Sequence, residues 1–501
     1  MKTKNKRNLI IMIAAVVILM GVFAVIQFGN IKKETEEKSK NKKTVDSSVS
    51  ITSFKQAEIA KVSYQYRGEE KLNYEISQDT WYNADDELFP LASSAFSNNF
   101  LSRFVSASTS RMLTEYDEEQ SYGLEEPYLT LWVENLSGEV ETFYLGDYNS
   151  MLGEYYLKIE GRDNIYTIGT DLVYICRSDM YDYANVEAFP SYAPTDLNGI
   201  IIKNGDISIE FTYFSDGYET DLIGECKWFF KTPFSYYRSA ETNKIDDMQS
   251  DIIDQMQFAK LVNYNPSSED IERYGLSDSK RQYIINYRSL DEETNITTNC
   301  SRIVDFGNYD EEANCYYARV TEIQGNVKEV SNNIYFVSKT SADELLGIDP
   351  LDYIYKYVVF VKITDVAKEN GSMVFDTPDG QYILENKSVL KEDGNTEEDI
   401  YYINGELMDE DDVENFYLGI LSKAGIERVI YDRSTIVTDK EPTYTITYNR
   451  HIDDYYGNVV VEYTQYDSNY YQATVNGMTD VLVNKRILDE TMASLKEMTQ
   501  K

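Results

Sequence analysis

Residues 9–28 read LIIMIAAVVILMGVFAVIQF, an almost unbroken apolar run whose one polar side chain, Gln27, stands at its end. At 1.5 Å per residue a helix of this length covers about 30 Å, the thickness of bilayer hydrocarbon, so the pattern predicts a membrane-spanning helix. The run is longer than the core of a signal peptide and passes into VIQFGNIKK with no small-residue cleavage site, which predicts a retained anchor. Lys2, Lys4, Lys6 and Arg7 on one side face six lysines between Lys32 and Lys43 on the other. Local basic counts therefore do not orient the helix. A short basic tail before an apolar run reads as a signal anchor, with the N-terminus in the cytoplasm and the large C-terminal region outside, at the cell membrane.

Residues 32–53, KKETEEKSKNKKTVDSSVSITS, are charged and then rich in Ser and Thr, with too little apolar content to pack. They read as a tether. Beyond them one order of elements recurs at intervals of about 150 residues, far too long for a solenoid repeat and suited to tandem domains. The first copy has an extended stretch, AKVSYQYRGEEKLNYEIS, then Trp81, Pro90 and the helically spaced LASSAFSNNFLSRFVSA. The second has GIIIKNGDISIEFTYF, then Cys226 to Phe230, Pro233 and IDDMQSDIIDQMQFAKLV. There Ile245, Met248, Ile252, Ile253, Met256 and Leu261 predict one helix, with Asp246 and Asp247 in its first turn. The third has GSMVFDTPDGQYILEN and a helix starting among Asp409, Asp411 and Asp412 and stopping near Gly425.

A strand-rich block follows each helix. Tyr122-Gly123-Leu124 matches Tyr274-Gly275-Leu276, Leu145-Gly146 matches Phe306-Gly307, Tyr155-Tyr156 matches Tyr316-Tyr317 and Ile165-Tyr166 matches Ile334-Tyr335. The third copy keeps Tyr470-Tyr471 but lacks the Tyr-Gly-Leu triplet, and is the most degenerate. Tyr, Val, Ile and Thr punctuated by Gly, Asn and Asp predict antiparallel hairpins. Most of the 44 tyrosines fall in these strands, where cross-strand pairing accounts for them. The expected fold is α+β: an N-terminal transmembrane helix, then three tandem units, each a mainly antiparallel twisted sheet with one covering helix. The expected bounds are tail and anchor 1–30, linker 31–53, and units 54–190, 196–350 and a degenerate 356–501, with breaks where Pro190, Pro194 and Pro350 interrupt the pattern.

Composition adds a strong charge bias. Residues 1–43 carry ten Lys or Arg against three Glu, a net of +7, which leaves −46 on the rest of a chain whose total is −39. A polyanion of that size repels nucleic acid and anionic lipid. Cys176, Cys226, Cys300 and Cys315 are too scattered for a disulfide framework or a zinc site. Free buried thiols are expected, with a Cys300–Cys315 meeting across a hairpin as the alternative.

Little in the chain points to catalysis. His451, within NRHIDDYYGN, is the only histidine and reads as a solvated loop residue in a polar hairpin turn. A Ser-His-Asp relay or a His-rich zinc site has little to draw on. Neither a GxxxxGK[ST] phosphate loop nor a GxGxxG follows a strand, so nucleotide binding in this chain is not indicated. Acidic clusters at Asp85-Asp86-Glu87, Asp310-Glu311-Glu312 and Asp409-Glu410-Asp411-Asp412 lack the ligand alternation of an EF-hand loop and read as solvated loops or helix starts. The expectation is a non-enzyme with no catalytic, cofactor-binding or metal residues.

Trp81, Pro90, Tyr122 to Leu124, Gly146 and Tyr155-Tyr156 resemble the pattern of domain-of-unknown-function family 4340, well over about residues 55–350 and more weakly beyond. Members of that family are commonly encoded beside an export-type ABC permease and its auxiliary subunit, some linked to gliding motility. The resemblance implies an extracytoplasmic accessory or scaffold of an ABC-type export system, contacting the membrane through residues 9–28, with a permease and auxiliary subunit as partners and no enzymatic residue to carry over. The alternative is a surface-exposed, aromatic-rich binding module for glycan, peptide or protein ligands.

Overall fold

The computed structural model describes residues 44–46, 48–113, 122–177, 179–191, 197–214, 226–291, 293–363, 366, 372–390, 397–452 and 455–500. The expected anchor, 9–28, lies outside them. Among the described residues no helix is long and apolar enough to cross a membrane.

Alternation of apolar and polar residues builds three mainly antiparallel sheets. The first contains β1 (Thr44–Asp46), β2 (Ile59–Tyr66), β3 (Leu72–Ser77), β4 (Thr80–Asn83), β5 (Arg111–Leu113), β6 (Leu129–Asn135), β7 (Val140–Asn149), β8 (Glu154–Ile159) and β9 (Ile165–Ile168). Helix α1 (93–106) lies between β4 and β5, and α2 (Asp171–Ile175) follows β9. The second sheet contains β10 (Leu197–Asn204), β11 (Ile207–Tyr213), β12 (Trp228–Thr232), β13 (Arg238–Ser239), β14 (Phe258–Tyr264), β15 (Arg281–Asp291), β16 (Ile296–Asp310), β17 (Cys315–Gln324) and β18 (Val327–Ser338). Its helices are α3 (242–253), α4 (Ser268–Arg273) and α5 (Lys339–Leu346). The third contains β19 (Ser372–Thr377), β20 (Gly380–Leu390), β21 (Glu397–Ile403), β22 (Glu406–Leu407), β23 (Ile426–Val429), β24 (Tyr444–Ile452), β25 (Tyr455–Gln465), β26 (Tyr470–Val475) and β27 (Met478–Asn484), with α6 (410–423) and α7 (Lys485–Met498).

The strand orders are β4-β3-β2-β6-β7-β8-β9-β5, β12-β11-β10-β15-β16-β17-β18-β14 and β21-β20-β19-β24-β25-β26-β27-β23, with β1, β13 and β22 added at an edge. This is one order recurring three times. In each copy the strand after the first helix crosses to the far edge and pairs with the last strand, as β14 does with β18. The first helix of each copy also widens into a π turn, at Ser97–Leu101, Gln249–Ile253 and Gly419–Lys423. In α1 the rings of Phe96, Phe100 and Phe104 are fully buried. Phe96 packs on Tyr74 at 4.6 Å between centroids and Phe104 on Phe143 at 5.4 Å. Each such burial contributes roughly 1.5–3 kcal/mol.

Several expectations are corrected. The supposed tether is ordered from residue 44: β1 pairs with β5, and Ile51 is fully buried. The helix read through Leu261 ends near Ile253, and Phe258–Tyr264 is a strand, because β18 offers a ladder that satisfies its backbone. A single covering helix was expected per copy, yet α2, α5 and α7 follow the last strand as a second. Asn484 caps α7 by accepting from Ile487 N–H, and Leu488, Met492, Leu495 and Met498 form its buried stripe. The described residues fall into two compact units, one ending at Asn185 and one beginning at Val186, so the second and third sheets share a unit. Phe189 belongs to the second unit, packing on Phe258 and Tyr283 at 5.2 and 5.8 Å.

Candidate functional site

The repeated Tyr-Gly-Leu triplet sets the geometry of one sheet corner. Gly123 has φ +71 and Gly275 φ +70, and the preceding carbonyls, of Tyr122 and Tyr274, accept from Asp147 N–H at 2.9 Å and Asn308 N–H at 2.7 Å. A Cβ on Gly146 or Gly307 would collide with those same carbonyls. The close approach coincides with a bulge, between Leu145 and Tyr148 in the first sheet and between Phe306 and Tyr309 in the second. Behind it Tyr122 packs on Tyr156 at 4.9 Å and Tyr274 on Tyr317 at 4.2 Å. Beyond it Tyr148 meets Tyr155 at 5.0 Å and Tyr309 meets Tyr316 at 5.6 Å.

The third copy corrects the tyrosine alignment. Its ladder runs from Tyr463↔Ala473 to Gln465↔Tyr471 with no bulge. Tyr471, paired with Val483, therefore takes the place of Tyr155, paired with Ile168, and of Tyr316, paired with Val337. Tyr470 falls where Cys315 stands.

What surrounds this tyrosine differs between copies. In the second copy the Tyr316 hydroxyl donates to Asp343 at 2.9 Å, Lys339 pairs with Asp343, and the Arg281 guanidinium lies 4.7 Å over the Tyr316 ring. In the third, Tyr471 and Tyr444 donate to Asp489 at 2.8 and 2.9 Å, and Lys485 reaches Tyr471 at 2.6 Å and Asp489 at 2.9 Å. Hydrogen bonds to Tyr471 and Asp489 raise the Lys485 pKa. Both clusters tie the second helix to the sheet.

In the first copy Thr170 and Tyr174 stand where the Lys and Asp are, and the corner is filled by tyrosines. Tyr66 meets Tyr128 edge-on at 5.3 Å, and Tyr128 stacks on Tyr155 at 5.7 Å and 10°. The Tyr66 hydroxyl donates to Val173 O at 3.0 Å, which fixes α2 beside the sheet. Tyr128, Tyr148 and Tyr174 are 39%, 50% and 57% exposed. Burial, then the phenols of Tyr128, Tyr148 and Tyr174, raise the Tyr155 pKa, and no charged group contributes. A cleft of about 260 Å³ between α1 and α2 is lined by Tyr174 together with Asn99, Arg103, Arg177 and Asp182. Sequence reading assigned these tyrosines to cross-strand pairing and missed the corner. The available signal was the loss of the Lys and Asp at matched positions, which needs the register to be seen.

The other candidate groups stay apart. Among the described residues no three His, Cys, Asp or Glu are grouped to hold a metal. The acidic clusters shape local backbone: Asp409 accepts from Asp412 N–H at the start of α6, Asp310 from Ala313 N–H, and Asp86 from Leu88 N–H. Backbone N–H donation from Ala313, followed by the Tyr317 hydroxyl, lowers the Asp310 pKa. His451 lies in β24 opposite Tyr456 and not in a turn, and its side chain is outside the described set. Cys300 pairs with Gln324 and Cys315 with Asp310, so the two residues sit at different rungs of one ladder, and none of the four cysteines is in a disulfide.

No family model, curated protein or solved structure matches this chain.

Proposed function

We propose that the chain is a membrane-anchored extracytoplasmic accessory or scaffold protein associated with an ABC-type export system of the cell envelope, and not an enzyme. The observation that carries this reading is the apolar run 9–28 between basic flanks, ahead of an acidic region built from three copies of one sheet. The resemblance to family 4340 supplies the transporter. Repeated sheets offer surface, which is all that a scaffold needs. The test is a pull-down of full-length protein in mild detergent beside a version whose residues 8–28 are replaced by an unrelated apolar helix. Co-purification of an ABC permease with the natural chain is expected, and loss from the swapped version alone places the contact in the anchor. Absence of permease from both removes the transporter reading.

A second reading, an aromatic-rich binding module, is favoured by the tyrosine corner of the first sheet. Exposed tyrosines combine a flat apolar face with a polar tip and recur in recognition surfaces.

A further inference from the structure

We infer that chains associate head to tail, the lysine-rich stretch 38–43 of one copy lying as an added strand across an open joint in the third sheet of another. The joint is the short segment that enters the first helix of each sheet. In the first sheet Leu91 bridges Ala184, Ala92 N–H donates to Tyr183 O at 2.9 Å, and Asn185 N–H donates to Pro90 O at 2.6 Å. In the second Ala240 bridges Ile354, Glu241 N–H donates to Tyr353 O at 2.8 Å, and Tyr355 N–H donates to Ser239 O at 3.2 Å. The two joints match bond for bond. In both, the occupant is an extended piece of the connector that leads to the next sheet.

The third sheet builds the same receptor. Leu407 pairs with Tyr402 as Ser239 pairs with Phe229, and Met408 N–H donates to Tyr401 O at 2.9 Å as Ala240 N–H donates to Trp228 O at 2.9 Å. This register turns the Leu407 carbonyl and the Asp409 N–H outward, where their counterparts on Ser239 and Glu241 meet the connector. Among the described residues no segment lies across them: Leu407 is 67% exposed, whereas Ala240 is fully buried. A strand edge left open in this way takes an added strand through its main-chain groups.

Chain continuity and charge together name the occupant. A filled joint holds the leader of the next sheet in series, and that leader then meets the entry to the next sheet's crossover strand, as where Lys356 O accepts from Ile426 N–H at 2.7 Å. The leader of the first sheet behaves likewise at Val49, whose carbonyl accepts from Thr109 N–H at 2.9 Å, but Thr44–Asp46 then stays on β5. The part of it left to fill a joint is therefore 38–43, KSKNKK, with four lysines and no acid. After a third sheet, the next first sheet in series belongs to another chain. The first turns of α1 and α3 hold no acidic residue, whereas α6 opens on Glu410, Asp411 and Asp412 with Glu406 just ahead. A connector like those in the filled joints, which bring Asp182 or Asp352 beside them, would be repelled there. The lysine stretch is attracted, and its aliphatic stems suit the exposed Leu407. Fifteen residues lie between Phe28 and Thr44, about 50 Å when extended, so the stretch can reach a neighbour while its own β1 stays in place. Such a contact is heterologous and repeats from chain to chain.

The test uses the full chain in detergent, with micelles in excess over chains and a benzophenone amino acid in place of Leu407, an exposed side chain where folding is not at stake. Equal parts of nitrogen-15-labelled and unlabelled chains are irradiated, and the crosslinked peptides are read by mass spectrometry. Crosslinks from position 407 to residues 38–43 are expected, including pairs of one labelled and one unlabelled chain. Sedimentation of the natural chain should show association that grows with chain concentration and weakens with salt. Lys38→Glu, Lys40→Glu, Lys42→Glu and Lys43→Glu combined should weaken it about tenfold, and so should Glu406→Lys with Glu410→Lys. The two sets together should restore it. Glu311→Lys with Glu312→Lys, at a turn of the second sheet, should leave it unchanged. A single-chain species at every concentration, no crosslink between a labelled and an unlabelled chain, crosslinks to a different segment, or a combined reversal that does not restore association overturns the proposal.

Discussion

Arg238 and Asp480, one on β13 of the second sheet and one on β27 of the third, meet at 2.8 Å with side chains 5% and 1% exposed. The other contacts of the pair come from the loop between β12 and β13 and from the segment between the second and third sheets. Arg238 also donates to the Val358 carbonyl at 3.2 Å, its guanidinium lies 4.6 Å over the Tyr236 ring, and Asp480 accepts from Ser235 N–H at 3.1 Å. Removing one partner leaves a buried charge uncompensated. Asp480→Ala is expected to cost about 3–5 kcal/mol, whereas Arg238→Met with Asp480→Leu recovers most of that. Calorimetry should show the second and third sheets melting in one transition in the natural chain and in two in Asp480→Ala. A single unshifted transition in that variant would show that the pair does not join the sheets.

Burial raises the pKa of many tyrosines, including Tyr74 and Tyr236, each pushed up to about 12, and Tyr64, Tyr448 and Tyr463, pushed further. The folded state thus holds phenol protons that the unfolded chain releases near pH 10. Stability is full below that value and falls as pH rises beyond it, because the native state binds more protons than the unfolded one. Absorbance at 295 nm should rise in two stages, first for rings at the surface and then cooperatively as the sheets unfold. One smooth titration near pH 10 with far-UV circular dichroism unchanged would contradict the burial described.

Gly146→Ala and Gly307→Ala place a methyl against the Tyr122 and Tyr274 carbonyls. Each should destabilise its own copy by roughly 1–3 kcal/mol. Gly138→Ala, where a methyl meets nothing but φ is +84, should cost less. Urea unfolding of the three variants provides the ranking, and equal midpoints would remove the close approach as the reason for glycine.

A chain beginning at residue 44 should keep the stability of the first unit, and one beginning at 54 should not. The second truncation removes buried Ile51, the Thr52 hydroxyl bond to Glu141, and the Ser50 and Ile51 carbonyls that accept from Arg162 at 3.3 and 2.9 Å. A fall of about 4 °C or more in the melting temperature of that unit is expected. Equal melting of the two would return residues 44–53 to the role of tether.

The repeat was legible because Tyr122, Gly123, Gly146 and Tyr155 have backbone and packing duties that only their residue types meet, so the same letters return at Tyr274, Gly275, Gly307 and Tyr316. Strand-edge chemistry was not legible. Phe258–Tyr264 continues the apolar spacing of the helix before it, and nothing local announces that β18 will be there to receive it. Thr44–Asp46 looks too polar to pack, yet at an edge a strand needs a ladder more than a buried face. The third copy slipped by one residue because the bulge packs against a Tyr-Gly-Leu triplet that it lacks, and two adjacent tyrosines hide such a slip. The tyrosine corner escaped for a related reason: its meaning lies in what Thr170 and Tyr174 replace, and only the shared ladder shows which positions correspond.

The recurring strand order also governs how the chain reaches its folded state. In each copy the first hairpin is complete early, but its inner strand waits for a partner made much later: Tyr66 for Leu129, Leu197 for Tyr287, Met373 for Tyr448. The strand after the first helix waits for the last strand of its copy, since Phe258 pairs with Val337 and Ile426 with Val483. High contact order of this kind makes folding slow, and a nascent chain exposes unpaired edges until its last hairpin emerges. With three copies in series, the open edge of one half-made sheet has the same ladder pattern as the strand its neighbour is waiting for. A late strand from one copy can therefore enter the wrong sheet. The divergence of the third copy at its bulge and tyrosine pair lowers that hazard, because a strand one residue out of register turns its apolar face to water.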